Sequence, residues 1–415
     1  MAPCTGARLP APDAPRPRWW TGRARAGAGR AVAAAAATLA VAACASSLEP
    51  GEPPPFAADP DGIPVIASGQ AGLPMYPLDP GVYADGEGYH LFYTTPFCQS
   101  ANGPRYSWDP ANVAACDLDV TTTTIGYAFS SDAGRTWQFR ATPVILPPGS
   151  GFDGSKIETA FPFRRGDTLY LVYSAEGVRD GATFTLRYQI GLGRLPLGGQ
   201  SIRTVLMDES RQFTRQTTPL LPYDLRAGRF DNNVQEPSLA VGPDGLALYY
   251  IGLGLSLPDQ PITAPGQEIT SVGLGRAELD AGFAVTSRAE AALLADVNIT
   301  EVRYFDGAFH LFATTRGSGE FHQGERIGYA RSADGRTWPA PAVVLAGGTG
   351  GHDNWGLMAP TVAVEDGRLV LFHTAFGVVQ QPCFPVPADG RFGRPVGGGA
   401  ACVYTSVGRA VASRP

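Results

Sequence analysis

The chain repeats one four-part unit five times, and this periodicity limits its fold more than any other feature. The first part follows a Pro- or Gly-rich approach. It reads PLDPGVYAD (77–85), KIETAFPFR (156–164), VQEPSLAVG (234–242), ITEVRYFDG (299–307) and LMAPTVAVE (357–365). The second part is aromatic and apolar: YHLFYTT, LYLVYSA, ALYYIGL, FHLFATT and LVLFHTA. The third carries a Gly-aliphatic pattern: IGYAFS, IGLGRL, VGLGRA, IGYARS and YTSVGRA. A short apolar fourth part precedes each first part: IPVIA, TPVIL, TPLLP, AALLA and AVVLA. Val, Ile, Tyr, Phe and Thr fill these runs and turn residues bound them, as in β-strands.

The phase of the repeat is informative. The chain enters on a fourth part (63–67) and leaves after a third (404–410). The last unit therefore lacks its outer strand unless the N-terminal strand supplies it. This predicts an all-β, five-bladed β-propeller over residues 62–415, with four strands per blade and the ring closed by the N-terminal strand. Closure would remove two sheet edges that otherwise invite aggregation. Two loops between third and fourth strands, SSDAGRTW (130–137) and SADGRTW (332–338), match the Asp-box pattern. Asp and Gly shape such a turn and the Trp packs beneath it, so these motifs are structural.

The N-terminal region reads differently. Arg16, Arg18, Arg23, Arg25 and Arg30 precede the apolar run AVAAAAATLAVAA (31–43), as in a signal peptide. Val41-Ala42-Ala43-Cys44 resembles a bacterial lipobox, which makes residues 1–43 the signal and Cys44 the lipidation site. Residues 44–61 are a Pro-rich tether that cannot bury a core. The expected protein is exported, monomeric and held at a membrane by its lipid alone, in the periplasm or at the cell surface. A net charge of −6 without a basic patch excludes nucleic acid as a partner. Four further cysteines, Cys98, Cys116, Cys383 and Cys402, suggest disulfides in an exported chain. Three pairings are possible. Cys98–Cys116 and Cys383–Cys402 are favoured because each pair flanks one local loop.

In an up-and-down blade the starts of all first strands share one face, while the Asp-boxes lie on the other. The first strands place Asp79, Glu158, Glu236 and Glu301 at what reads as one position, with Ala359 in the last unit. Four carboxylates converging on one channel mouth raise each other's pKa, and such crowding points to function.

These stretches, above all FDNNVQEPSLAV followed by LYYIGL and VGLGRA, and ERIGYARSADGRTW, resemble the arabinanase, β-xylosidase, invertase and levansucrase superfamily of five-bladed propellers. The resemblance covers the whole repeat region. It implies a glycoside hydrolase acting on a plant or microbial glycan, with no required cofactor. It also implies that Asp79 is base or nucleophile, Glu158 tunes pKa and holds substrate, and Glu236 is the general acid. Glu158 stands where the family usually has Asp, so Asp153, five residues earlier, is an alternative. Glu301 is an added acid beside Arg303, and Tyr76 and Trp355 are candidate sugar platforms. His352 or His373 would meet a structural calcium in the channel, as a histidine does in some relatives. The Asn-Asp-Pro and Arg-Asp-Pro signatures of invertases are missing. Three other readings stay open at this point: a glycan-binding lipoprotein without turnover, a sialidase-like enzyme suggested by the Asp-boxes, and a glycoside phosphorylase.

Overall fold

The repeat folds as a succession of antiparallel meanders. The first pairs Leu78–Asp85 with Gly88–Ser100 and then Thr122–Ser130. The second pairs Lys156–Arg165, Thr168–Glu176 and Tyr188–Pro196, and a single parallel pair, Thr123 with Lys156, joins it to the first. The third runs through Asn233–Gly242, Gly245–Leu255 and Ile269–Leu279. The fourth runs through Val297–Phe305, Ala308–Thr315 and Arg326–Ser332. The last runs through Gly356–Glu365, Arg368–Val379 and Ala401–Ser413.

This is a computed structural model, and it describes residues 53–58, 64–67, 77–100, 103–106, 122–177, 187–260, 265–317, 322–348, 351–379, 393–396 and 401–414. The expected signal, Cys44, Tyr76, Cys116 and Cys383 lie outside the described residues. Cys98 and Cys402 are described by backbone pairing alone, opposite Arg105 and Val379.

The expected fourth strands are short but pair as the repeat requires. Leu294–Ala295 and Ala342–Leu345 lie along the third strands of their meanders. In the first two meanders only single bridges form, Ile125 with Ile145 and Ile190 with Leu221. For the last meander the outer partner comes from the other end of the chain: Ile66–Ala67 pairs with Val407 and Ser406 of Ala401–Ser413.

The Gly-aliphatic pattern of the third strands has a steric cause. The rings of Tyr93, Tyr173 and Tyr250, on the second strands, lie where a Cβ at Gly126, Gly191 or Gly275 would be. Apolar layers fill the space between successive meanders, for example Phe92 and Tyr127 against Leu169 and Tyr173. The Asp-box tryptophans reach across meanders. Trp137 meets Phe372 edge-on at 5.7 Å, and Trp338 meets Tyr249 at 6.4 Å.

The feature that builds the site is a β-bulge at the same place in every first strand. Register breaks at Leu78/Gly81, Glu158/Phe161, Gln235/Ser238, Asn298/Thr300 and Met358/Thr361. At each break one residue has positive φ: Asp79 (46°), Thr159 (52°), Glu236 (57°), Ile299 (39°) and Ala359 (51°). Such a conformation costs about 1–3 kcal/mol outside glycine and is most unfavourable for β-branched residues. Thr159 and Ile299 nonetheless share it, so the bulge belongs to the repeat and not to any one acid.

Hydroxyls hold the bulges in place. The Asp79 N–H donates to Thr374 Oγ1 (2.9 Å), Thr159 N–H to Thr94 Oγ1 (2.9 Å), Glu236 N–H to Ser174 Oγ (2.8 Å) and Ala359 N–H to Thr314 Oγ1 (3.1 Å). Each acceptor lies on the second strand of a different meander, opposite that meander's own bulge. The third meander has Ile251 there, which carries no hydroxyl; Ser238 Oγ instead accepts the Val302 N–H at 3.0 Å. These bonds stitch each first strand to its neighbour.

Candidate active site

First-strand residues of every meander, among them Pro80, Thr159, Pro237, Ile299 and Pro360, line one cavity of about 20 Å³. That is room for little more than one water. Of the bulge residues, Thr159, Ile299 and Ala359 line it, and the five bulge positions are of two kinds. Asp79, Thr159 and Glu236 are polar. Ile299 and Ala359 belong to an apolar cluster with Met358, Phe376 and Val403, and Leu78 and Trp355 pack against it.

Asp79 and Glu236 are buried, at 8% and 9% exposure. Thr94 supports the Asp79 carboxyl by a hydrogen bond, and Thr159 supports that of Glu236. One oxygen of each, Asp79 Oδ1 and Glu236 Oε2, is buried with no hydrogen-bond partner among the described residues. Buried acceptors are rarely left so, and each one calls for a reason.

Electrostatics separate the two groups. Burial, followed by the charge of Glu158, pushes Asp79 up to about 7, while Thr94 and the charge of His322 oppose the rise. Burial, followed by the charge of Asp79, raises Glu236 well above the ordinary carboxylate range. The two acids titrate as a pair, the charge of Asp79 disfavouring that of Glu236. Environments that push paired acids apart mark an acid and a base.

Glu158 stands beside this pair but not at the bulge itself, where the register puts Thr159. Its oxygens accept from Thr123 Oγ1 (2.8 Å) and Tyr188 OH (2.6 Å), and its charge acts on both Asp79 and Glu236.

Two expected substrate-binding acids have their oxygens engaged by neighbouring side chains, although Glu301 also lines the cavity. Glu301 lies two residues past the bulge residue Ile299. Its oxygens are taken by Arg303 Nε (2.7 Å), Thr361 Oγ1 (2.7 Å) and the Val362 N–H (2.9 Å). Arg303 in turn donates to Val82 O (2.9 Å) and covers the Phe161 ring at 4.5 Å. The pair ties first strands together, because both its charges are engaged within the sheet layer. Asp153 is 2% exposed and holds Arg215 Nη1 at 2.6 Å and Tyr173 OH at 3.0 Å. Asp231, in the matching approach segment, likewise holds Arg288 and Tyr250. Asp153 is thus a strand-anchoring acid. Trp355 lies on the apolar side, its backbone N–H donating to Phe376 O at 2.9 Å.

His373 is buried, and burial, followed by the charge of His352, pushes it down to about 3. Its Nδ1 has no hydrogen-bond partner among the described residues. Calcium takes about six to eight oxygen ligands, and among the described residues no three His, Cys, Asp or Glu side chains come together to hold a metal. No step below runs through a metal.

The residues that the sequence did not single out are Thr94, Ser174, Thr374, Tyr188 and His322. The hydroxyls had a signal: Thr or Ser recurs near the end of the second part in YTT, YSA, ATT and HTA.

No family model matches the chain, and no curated protein matches it. Solved structures do. A glycoside hydrolase superposes with TM-score 0.51 at 12% identity, over 82% of this chain and 92% of that one. Zg3597, a family 117 glycoside hydrolase from the marine bacterium Zobellia galactanivorans, superposes with TM-score 0.50 at 14% identity, over 88% and 89%. At these identities the likeness is one of fold, the β-propeller-like all-β architecture.

Proposed function

We propose that the chain is a glycoside hydrolase on a five-bladed propeller, its ring closed by Ile66–Ala67, acting on a plant or microbial oligo- or polysaccharide. The observation that carries the reading is the buried pair Asp79 and Glu236, each with one oxygen that has no hydrogen-bond partner among the described residues, and with the charge of Asp79 acting on Glu236. Glycosidic cleavage needs one carboxyl that gives a proton to the leaving oxygen and one carboxylate on the other side of the bond. Glu236, raised the further, is the general acid. Asp79 is the base that takes a proton from water, or the nucleophile. The charge of Glu158, whose oxygens accept from Thr123 and Tyr188, opposes ionisation of Glu236. The hydroxyl stitches between neighbouring meanders, from the last meander back to Asp79 and on to Ala359, support the closed ring. The apolar side with Trp355 and Ile299 is suited to the carbon face of a sugar. The signal and Cys44 extend the proposal to a lipid-anchored protein outside the cytoplasm.

The test uses protein beginning after Cys44, beside Glu236→Gln, on a panel of aryl glycosides and polysaccharides. Release of reducing sugar by the wild type and its loss in the variant is the expected result. Glycan binding by both without release would replace hydrolysis by a binding function.

A further inference from the structure

Thr94 is 1% exposed on Gly88–Ser100, and its register partner is Leu78, the residue before the bulge at Asp79. Its Oγ1 accepts the Thr159 N–H at 2.9 Å. A hydroxyl carries a single proton, and this one is not used toward the N–H. Buried, that proton needs an acceptor of its own. The Asp79 carboxyl serves, since the two side chains share a hydrogen bond. Asp79 is then held at both ends, its N–H by Thr374 Oγ1 (2.9 Å) and its carboxyl by Thr94.

The repeat supplies a comparison. Thr314 holds the same register position in the fourth meander, opposite Asn298. Its Oγ1 likewise accepts the N–H of the next bulge, that of Ala359, at 3.1 Å. Its proton goes to Ile299 O, 3.4 Å away, because the bulge residue there carries no acid. The stitch is common to both meanders, and what differs is the group that receives the proton. An ionised carboxylate only accepts, so a hydroxyl already engaged by an N–H favours the charged form of Asp79 and fixes the oxygen it meets. Thr159 in turn supports the Glu236 carboxyl, so Thr94 and Thr159 join the two acids in series.

The charges that act on Asp79 are those of Glu158 and His322, and its own charge acts on Glu236. The other titratable groups on the strands packed against it are engaged elsewhere. His90, four residues from Thr94, pairs with Tyr127 and Asp85. Lys156 pairs with Glu176 at 3.4 Å, and Glu365 with Tyr89 and Arg368. Arg409 is level with Phe372, and His373 alternates with Thr374 to the other face of its strand.

We propose that Thr94 is a positioning residue of the site: fixed by the Thr159 N–H, its hydroxyl gives its one proton to the Asp79 carboxylate and leaves to the reaction the oxygen, Oδ1, that has no hydrogen-bond partner among the described residues. The inference rests on the reading of Asp79 as base or nucleophile. Loss of the hydroxyl then raises the pH at which Asp79 ionises.

The test needs no substrate. The stability advantage of Asp79→Asn, followed by urea unfolding against pH, starts to grow at the unfolded pKa of the carboxyl and levels off at the folded one. In a Thr94→Val background the level-off should move up by about half a pH unit or more, about a threefold change in the ratio of charged to neutral Asp79. Thr94→Ser keeps the proton and should leave the level-off in place. Thr314→Val removes the equivalent stitch beside Ile299 and should lower stability without moving it. A level-off unmoved by Thr94→Val, or moved as far by Thr314→Val, overturns the proposal. If Thr94→Val does not fold, Thr94→Cys, a weaker donor, should move the level-off the same way by less, and an unmoved value there overturns the proposal as well. Sugar release by the wild type with an unmoved level-off leaves the hydrolase standing and removes Thr94. A moved level-off without any sugar release keeps the Thr94 contact and removes the hydrolase.

Discussion

Asp79→Asn should make the protein inactive and, above neutral pH, more stable. Burial and the Glu158 charge push Asp79 from 3.8 up to about 7. In the unfolded chain the same carboxyl ionises near its ordinary value. Between these two pH values the folded state keeps a proton that the unfolded state has lost. Stability is therefore full below 3.8 and falls as pH rises through about 7. At about 1.4 kcal/mol for each pH unit, the penalty at pH 8 is on the order of 4 kcal/mol. The Asn amide carries no charge and so escapes this penalty. It also tolerates the left-handed φ of 46° better than most residues and can still meet Thr94. Urea unfolding of both proteins from pH 4 to 8 reads the effect. The difference should be near zero at pH 4, grow through neutrality and level off above it, while turnover falls about a thousandfold. An Asn variant no more stable than wild type at pH 8, or a difference independent of pH, would refute the burial argument.

Other consequences can be checked in the same way. Thr374→Val leaves the buried Asp79 N–H without its acceptor, so stability should drop by about 1–3 kcal/mol; kcat should fall about tenfold as the carboxylate shifts. Thermal denaturation and initial rates measure both. Burial pushes His310 down to about 4, where its Nδ1 pairs with Tyr329 OH at 2.8 Å. The unfolded imidazole takes its proton near 6.5, so this site's contribution is intact above that pH and is lost progressively toward 4. His310→Gln should flatten the acid side of the Tm-against-pH curve in that window.

Much of the strand architecture could be read from the chain, and the exceptions have physical reasons. All four parts of the unit paired as the repeat required, down to Ile66–Ala67 supplying an outer partner for Ala401–Ser413. What misled was the bulge. A strand alternates faces residue by residue, so an error of one moves a side chain to the other face. In the first, third and last meanders a proline follows the bulge residue, in Asp79-Pro80, Glu236-Pro237 and Ala359-Pro360; proline is tolerated where no ladder bond is needed. Thr159 and Ile299 lack that mark. The fourth bulge also skips one residue where the others skip two. Glu158 and Glu301 were therefore aligned one and two positions from the true bulge residues. Glu158 still reaches the pair, whereas Glu301 is spent on Arg303, Thr361 and Val362. The role of Asp153 was hidden because its partner Arg215 lies far along the chain.

The most direct test of the central claim is the dependence of rate on leaving group for wild type, Glu236→Gln and Asp79→Asn. A general acid matters only when the departing oxygen needs a proton. Glu236→Gln should retain most activity on a dinitrophenyl glycoside and lose it on an alkyl glycoside or a natural glycan, while Asp79→Asn loses both. Equal loss by Glu236→Gln on good and poor leaving groups, or unchanged rates in Asp79→Asn, would contradict the assignment of acid and base and with it the hydrolytic function proposed for this mouth.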